Sequence, residues 1–284
     1  KLINERFSND FKYLNYSNTF EINLNFNNIL YIMKKVISFS LWFQDKPMDN
    51  YAYQTKNMYY NGLIRNLEIL NKKEIYKDWT IRCYINNTLS ESHKQRLTLL
   101  GAELINMTDS KIPGMFWRFL PFQDKNVDIF VVRDTDSRIN EREYKAVCEW
   151  EKSDKVMHVM RDHPHHFYKI LGGMWGYKNY KERLNIEPKM HAFLKKRNYN
   201  FKRMDDMLFL DHIYDMCEGN TMEHDQFFKY KYSIPFPDDS YKNDYYEFVG
   251  EIYDENDNNP NKDRNTKLLK NQHYRNVIQG KKYK

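Results

Sequence analysis

The stretch Val127-Asp-Ile-Phe-Val-Val-Arg-Asp-Thr-Asp-Ser-Arg138 decides the fold, because a short apolar run ends there in two carboxylates separated by one residue. The run is β-branched and aromatic, is too short for a helix and has polar neighbours, which is typical of a central strand covered on both faces. Asp134 and Asp136 follow at its carboxyl end, where open α/β sheets bind their ligands. Two carboxylates at this spacing can share one divalent cation, and Mg²⁺ or Mn²⁺ takes its other ligands from phosphate and water. The stretch therefore predicts a metal site for a phosphorylated substrate, the alternative being a turn that merely ends the strand.

The composition is that of a globular protein with a mild positive charge. Of 284 residues, 41% are hydrophobic and 16% aromatic, and Lys plus Arg outnumber Asp plus Glu by 45 to 39, which gives +6. This excess suits phosphate-bearing ligands but falls short of the clustered basic surface of a nucleic-acid-binding protein. Cys83, Cys148 and Cys217 are odd in number and lie in apolar segments, which favours reduced thiols and a cytoplasmic protein. No apolar segment reaches the ~20 residues of a membrane span, and no signal peptide is evident.

Strand and helix patterns alternate along the chain. Strands are predicted over 36–42, 79–85, 102–107, 127–133, 155–160 and 247–253. Helices are predicted around 60–70, 90–100, 140–150 and 203–217, and Asn140 and Glu143 have the spacing of a helix cap. This alternation predicts an α/β fold with a mostly parallel central sheet flanked by helices. We divide the chain into an N-terminal extension or linker over 1–33, one domain over 34–261 and a basic C-terminal tail over 262–284.

Seven short motifs, taken in order, resemble one known family. They are Ser38–Trp42, Gly114–Leu120, Val132–Arg138, His158–Pro164, Leu171–Gly176, Asp206–Leu210 and His224–Asp225. Over about residues 38–253 the chain resembles GT-A-type glycosyltransferases, in particular the uncharacterised glycosyltransferase-like proteins of bacteria and giant DNA viruses. The resemblance implies a GT-A-like Rossmann-type domain. It also implies transfer of a sugar from a nucleotide sugar to a hydroxyl of a carbohydrate or glycoprotein acceptor.

The resemblance also implies roles for individual residues. Asp134 and Asp136, with Thr135 between them, would hold Mn²⁺ or Mg²⁺ against the diphosphate of a UDP- or GDP-sugar. His224 would complete the metal site and favour manganese, unless it only caps a turn. The remaining donor-binding residues would be Ser38, Phe39, Ser40 and Leu41 at the nucleoside, Gly172 and Gly173 beneath the sugar, and Arg82, Arg118 and Arg133 near phosphates or acids. An arginine that only extends to the surface is the alternative for those three.

Asp206 is the leading candidate for the base that acts on the acceptor, because the family pattern places an acid at the mouth of the acceptor site. Asp205 and Asp206 would also be favoured in a first helical turn without any function. Asp162 is the second candidate and would hold a sugar hydroxyl. A retaining enzyme would need neither residue as a base.

Two other functions compete with glycosyl transfer. Asp134-Thr-Asp136 after an apolar strand, with a later pair of aspartates, imitates a haloacid-dehalogenase-type phosphatase. However, three predicted strands precede the motif here, whereas that family usually carries it on the opening strand. A catalytically inactive sugar-binding module of a longer chain is the other alternative, and the intact acidic pair argues against it. The histidines at 163, 165 and 166 lack a second pair of ligands at zinc spacing, so we interpret them as a loop.

Overall fold

The apolar runs of the sequence form the centre of one sheet. The computed structural model describes residues 32–43, 55–199, 201–202, 204–228, 232–237, 247–269 and 271. Within these residues the sheet has eight strands, which are β1 (Lys35–Leu41), β2 (Trp79–Ile85), β3 (Glu103–Asn106), β4 (Ile129–Arg133), β5 (Met157–Arg161), β6 (Met174–Lys178), β7 (Thr221–Asp225) and β8 (Ser233–Ile234).

Seven α-helices accompany the strands in the described part of the chain. They are α1 (Lys56–Lys72), α2 (Glu91–Leu99), α3 (Gly114–Trp117), α4 (Glu141–Lys152), α5 (Glu187–Lys196), α6 (Asp205–Met216) and α7 (Lys262–Leu269), and a 3-10 turn spans Leu120–Phe122. The predicted cap of α4 is confirmed, because the Asn140 side chain accepts a hydrogen bond from the backbone N–H of Glu143.

The strand order is β3-β2-β1-β4-β6-β5-β7-β8. Strand β6 runs antiparallel to both neighbours, and every other pairing is parallel. The mostly parallel α/β fold is therefore confirmed. From β1 the chain proceeds to β2 and β3 on one side, whereas β4 lies on the other side of β1. The carboxyl ends of β1 and β4 thus flank a point where the direction of the connections reverses, which is the place where open α/β sheets bind ligands.

Strand β4 is buried on both faces, as the sequence predicts. Phe130 and Val132 belong to one hydrophobic cluster, which includes Trp175. Ile129 and Val131 belong to a second cluster on the opposite face. Because alternate residues of a strand point to opposite faces, each face of β4 contributes to a separate core layer.

Six elements of the described structure are absent from the sequence predictions: β6, β7, β8, α3, α5 and α7. The strand predicted over 247–253 is wrong, because this segment is a loop with a single isolated bridge from Ile252 to Ser137. The segment instead turns at Gly250, whose φ of 83° lies in the left-handed region.

The terminal segments are only partly described. The predicted extension over 1–33 lies outside the described residues except for its last two positions, and the described residues from Met33 onward belong to one compact unit. The predicted tail begins with helix α7, in which Asn265 is buried. None of the described helices has both the length and the apolar composition needed to cross a bilayer.

Candidate active site

Arg118 connects two of the predicted site aspartates. Its guanidinium forms an ion pair with Asp134, which follows β4, through Nη1. Its Nη2 donates to Oδ2 of Asp206, in the first turn of α6, at 2.9 Å. The structure therefore brings together the acidic motif, the start of α6 and the segment after α3 at the carboxyl edge of the sheet.

The backbone of Arg118 is fixed by two serines of β1. The Arg118 N–H donates to Oγ of Ser40 at 2.8 Å, and the Arg118 carbonyl accepts from Oγ of Ser38 at 2.8 Å. Phe39 and Leu41 alternate with these serines and are buried in the opposite core layer. The side chains of Phe39 and Leu41 therefore lie away from Arg118, and contact of residues 38–41 with the nucleoside stays a prediction. Ser38 and Ser40 hold the backbone of a site residue.

Gly172 and Gly173 lie directly beneath the charged cluster. A Cβ at Gly172 would lie 2.6 Å from Nη2 of Arg118 and 2.7 Å from Oδ2 of Asp206. A Cβ at Gly173 would overlap the carboxylate of Asp134. Only residues without side chains allow this approach of the β6 entry loop, and the predicted place of both glycines beneath the sugar stays a prediction.

The pKa values of two carboxyl groups reflect burial and mutual repulsion. Burial, reinforced by the charge of Asp134, raises the pKa of Asp136 to about 7. Burial also raises the pKa of Asp206; the neighbouring Arg118 charge opposes this rise and Asp134 adds to it. The site thus holds three carboxyl groups and one guanidinium at close range, and an added cation would lower its electrostatic free energy.

Asp134 and Asp136 fit a hard divalent cation in their chemistry. Both supply carboxylate oxygens, and the repulsion that raises the pKa of Asp136 is what a shared cation would relieve. Thr135 between them is buried and offers no free surface. In the described parts of the chain, no group of three or more His, Cys, Asp or Glu side chains could hold a metal ion. The other ligands would therefore have to come from substrate or water.

His224 does not join the acidic pair. It lies in β7 rather than in a turn, and it is fully buried. One ring nitrogen, Nδ1, is 2.8 Å from Nε2 of His158, and the other is 3.4 Å from a carboxylate oxygen of Glu149. The predicted role of His224 as a metal ligand is corrected by this geometry, because both nitrogens face protein partners.

Arg82 and Arg133 are ion-paired inside the protein. Arg82 donates to Glu103 at 2.9 Å and to Asp124 at 2.7 Å. Arg133 donates to Glu143 at 2.8 Å. Both arginines are buried and paired with acids, so they do not extend to the surface, and a role for either in binding the donor stays a prediction.

Asp162 is also a structural residue. Its side chain has no solvent exposure, and its two oxygens accept from Nε and Nη2 of Arg142 at 2.7 and 2.9 Å. The backbone N–H of Val249 donates to the same carboxylate at 2.9 Å. A buried carboxylate with these partners has no access to a sugar hydroxyl, so the predicted catalytic role of Asp162 is wrong.

Two further segments hold the acidic motif and were not predicted to do so. Asn66 of α1 donates to the carbonyl of Ser137 at 2.9 Å and accepts from the N–H of Ile139 at 2.9 Å. Residues 250–258, which we call the strap, contact the other side of the motif, where the Tyr253 N–H donates to the Asp136 carbonyl at 2.9 Å. The one signal for Asn66 in the sequence is that it is a polar residue on the otherwise apolar face of α1.

Comparison with known proteins gives a likeness of fold. No family model and no curated protein matches the sequence. Among solved structures, the galactosyltransferase LgtC in complex with donor and acceptor sugar analogs is 11% identical, with 67% of this chain and 73% of that chain covered and a TM-score of 0.43. The glycosyltransferase GlyE of Streptococcus pneumoniae TIGR4 is 13% identical, with 68% and 45% covered and a TM-score of 0.42. A 4-diphosphocytidyl-2C-methyl-D-erythritol synthase from Anaerococcus prevotii DSM 20548 is 9% identical, with 67% and 86% covered and a TM-score of 0.39. Glycosyltransferases are thus among the structural neighbours, as the resemblance in the sequence motifs predicts.

Proposed function

We propose that the protein is a metal-dependent glycosyltransferase that moves a sugar from a nucleotide-sugar donor to a hydroxyl acceptor. The observation that supports this function is the convergence of Asp134, Asp136, Arg118 and Asp206 above two glycines. They meet at the carboxyl edge of the sheet, beside the ends of the neighbouring strands β1 and β4. A site of this kind offers oxygen ligands and a fixed positive charge within one small region.

Asp134 and Asp136 would hold Mn²⁺ or Mg²⁺ beside the diphosphate of a UDP- or GDP-sugar. Such an ion, when bound, stabilises the negative charge on the departing nucleoside diphosphate. Arg118 remains charged, because the carboxylates of Asp134 and Asp206 raise its pKa against the effect of burial. The backbone of Arg118 is fixed by β1 and its guanidinium pairs with both aspartates before substrate binds, and such preorganised charge needs little rearrangement during the reaction.

Asp206 would accept the proton of the acceptor hydroxyl. Its carboxylate is nearly buried, and the raised pKa makes it a stronger base than an exposed aspartate. The absence of side chains at Gly172 and Gly173 lets Asp206, Arg118 and Asp134 approach the backbone of the β6 entry loop closely. The roles of donor and acceptor are thus divided between the end of β4 and the start of α6.

The first prediction tests metal-dependent binding. With Mn²⁺, calorimetry should show binding of UDP or GDP, and excess chelator should abolish most of it. Asp136→Asn removes one ligand charge and should weaken binding by more than about tenfold, the loss that even an outer partner of a metal ligand can cause. Asp109→Asn, an exposed aspartate far along the chain from the motif, is the control.

A screen of nucleotide sugars for hydrolysis in the presence of Mn²⁺ then identifies the donor, and NMR of the product sugar gives the stereochemistry. Nucleotide binding of equal strength in chelator would contradict the metal-dependent mechanism. Release of phosphate from a phosphomonoester, without nucleotide binding, would indicate the phosphatase instead. Binding without any turnover would indicate the inactive module.

A further inference from the structure

The backbone turn that carries the acidic pair, residues 134–139, is held between two segments that are remote in sequence. Helix α1 holds one side through Asn66, as described above. The strap holds the other side, where Ile252 forms an antiparallel bridge with Ser137. The turn is therefore fixed by contacts from residues before and after it in the chain.

Arg138 connects the turn to the strap. Its Nη1 donates to the carbonyls of Thr135 at 3.4 Å and Ser137 at 3.1 Å, so one nitrogen binds two carbonyls of the turn. Its Nε donates to Oδ1 of Asp257 at 2.7 Å. The ring of Tyr253 covers the guanidinium at 4.9 Å, and the side chain of Arg138 is only 6% exposed.

Asp257 binds a second arginine with its other oxygen. Nε of Arg65, in α1, donates to Oδ2 of Asp257 at 3.0 Å. One carboxylate thus joins α1, the acidic turn and the strap. A carboxylate with two guanidinium partners orients both of them, because each partner uses a different oxygen.

The backbone of Asp257 is in a conformation that most residues avoid. Its φ is 64°, in the left-handed region, where Asp and Asn are better tolerated than other residues with side chains. The turn that imposes this conformation is closed by hydrogen bonds from Asp257 N–H to the Asp254 carbonyl and from Asp254 N–H to the Asn258 carbonyl. The surrounding contacts therefore hold the carboxylate where Arg65 and Arg138 meet.

We propose that Asp257 is a positioning residue for the acidic pair: through Arg138 it fixes the backbone that carries Asp134 and Asp136. The effect on metal binding rests on the proposed function, whereas the effect on the backbone does not.

The test uses Asp257→Asn, which keeps the size and the tolerance of the left-handed conformation but removes the charge. Amide hydrogen exchange of residues 135–139 should accelerate about tenfold, and Mn²⁺ titrated alone should bind about tenfold more weakly by electron paramagnetic resonance. Arg138→Lys should give the same two changes, because an ammonium cannot hold both carbonyls and Asp257 at once.

Glu255→Gln is the matched control. Glu255 lies on the same strap and accepts from Oγ1 of Thr55 at 2.7 Å, so it joins the strap to α1 without contacting Arg138. In this variant, the amide exchange of residues 135–139 and the affinity for Mn²⁺ should stay within about twofold of the wild-type values.

The possible outcomes separate the two proposals. Unchanged exchange in both Asp257→Asn and Arg138→Lys would overturn the positioning role, and so would equal effects in Glu255→Gln. If the wild-type protein binds no Mn²⁺ but the exchange of residues 135–139 responds as stated, the proposed function fails while the positioning role stands.

Discussion

At the scale of single residues, Asp205 and Asp206 show that neighbours in one helical turn can serve different purposes. Asp205 accepts from the backbone N–H of Lys202 at 2.9 Å and from Nε of Arg197 at 3.3 Å, so it joins the start of α6 to the segment that precedes it. Asp206 instead faces Arg118. Adjacent helical residues point about 100° apart, which explains the separation.

Asp206→Asn should lower turnover by ~10²- to 10⁴-fold, the usual contribution of a general base, and should leave donor affinity nearly unchanged. The amide keeps the shape of the carboxylate but cannot accept the proton. Asp205→Asn is the control and should reduce stability without a comparable loss of rate. Steady-state kinetics of the two variants makes the comparison. Equal losses in both, or an unchanged rate with a retaining product, would contradict the base assignment.

The sequence predicts the acidic pair, Arg118 and the two glycines, because these residues belong to short motifs. The sequence does not show that Arg118 lies beside the acidic motif while Arg82 and Arg133 pair with acids elsewhere. The acids that neutralise Arg82 and Arg133 come from other elements. The prediction that His224 binds the metal differs from the structure for a similar reason. Its alternation within β7 is hidden by polar neighbours, so the sequence gives no sign that both of its nitrogens are already engaged.

At the scale of elements, β6 shows where periodicity is misleading. Its sequence Met-Trp-Gly-Tyr-Lys contains a glycine and follows two others, which suggests a loop. In the structure, Gly176 lies between β4 and β5 and is needed there. A Cβ at this position would lie 2.9 Å from the Phe130 carbonyl oxygen and 3.0 Å from the ring of Trp150. The central strand and α4, by contrast, were predictable because their apolar pattern and cap are local.

Gly176→Ala should therefore lower the free energy of unfolding by about 1–3 kcal/mol, the usual cost of overpacking a core. Urea denaturation measures this loss, and an unchanged m-value would show that the same surface is still buried. A stability equal to that of the wild type would show that the sheet can open at this position without cost.

At the scale of the whole molecule, buried histidines make folding sensitive to acid. Burial lowers the pKa of His163 to about 3 and that of His224 to about 4, and it lowers the pKa of His158 as well. The unfolded chain binds a proton at each of them near pH 6.5, whereas the folded protein does not. Above pH 6.5 each histidine is neutral in both states and its titration has little effect on stability, whereas below pH 6.5 its protonation favours the unfolded chain. The raised pKa of Asp136 acts in the opposite direction.

His163→Gln should reduce the loss of stability on acidification. Between pH 6.5 and the folded pKa, one such histidine costs about 1.4 kcal/mol per pH unit, so between pH 7 and 5.5 the variant should lose about 1.3 kcal/mol less stability than the wild type. Urea unfolding at pH 7 and 5.5 measures the slope. His191→Gln, at an exposed position on α5, should have the wild-type slope. Identical slopes in all three proteins would show that His163 is protonated in the folded state.

The contacts of the strap also have a consequence for biosynthesis. Asp257 is 192 residues from Arg65 and 119 residues from Arg138 along the chain. At ~5–20 residues per second, roughly 10–40 s separate the emergence of α1 from the ribosome and that of its carboxylate partner. For the last 119 residues of this interval the nascent polypeptide already carries Asp134 and Asp136, but the turn is held from one side only. The site can therefore be completed only after the strap has been translated. A product cut by a protease before residue 257 would keep Asp134 and Asp136 but would lack the contact of Asp257 with Arg138.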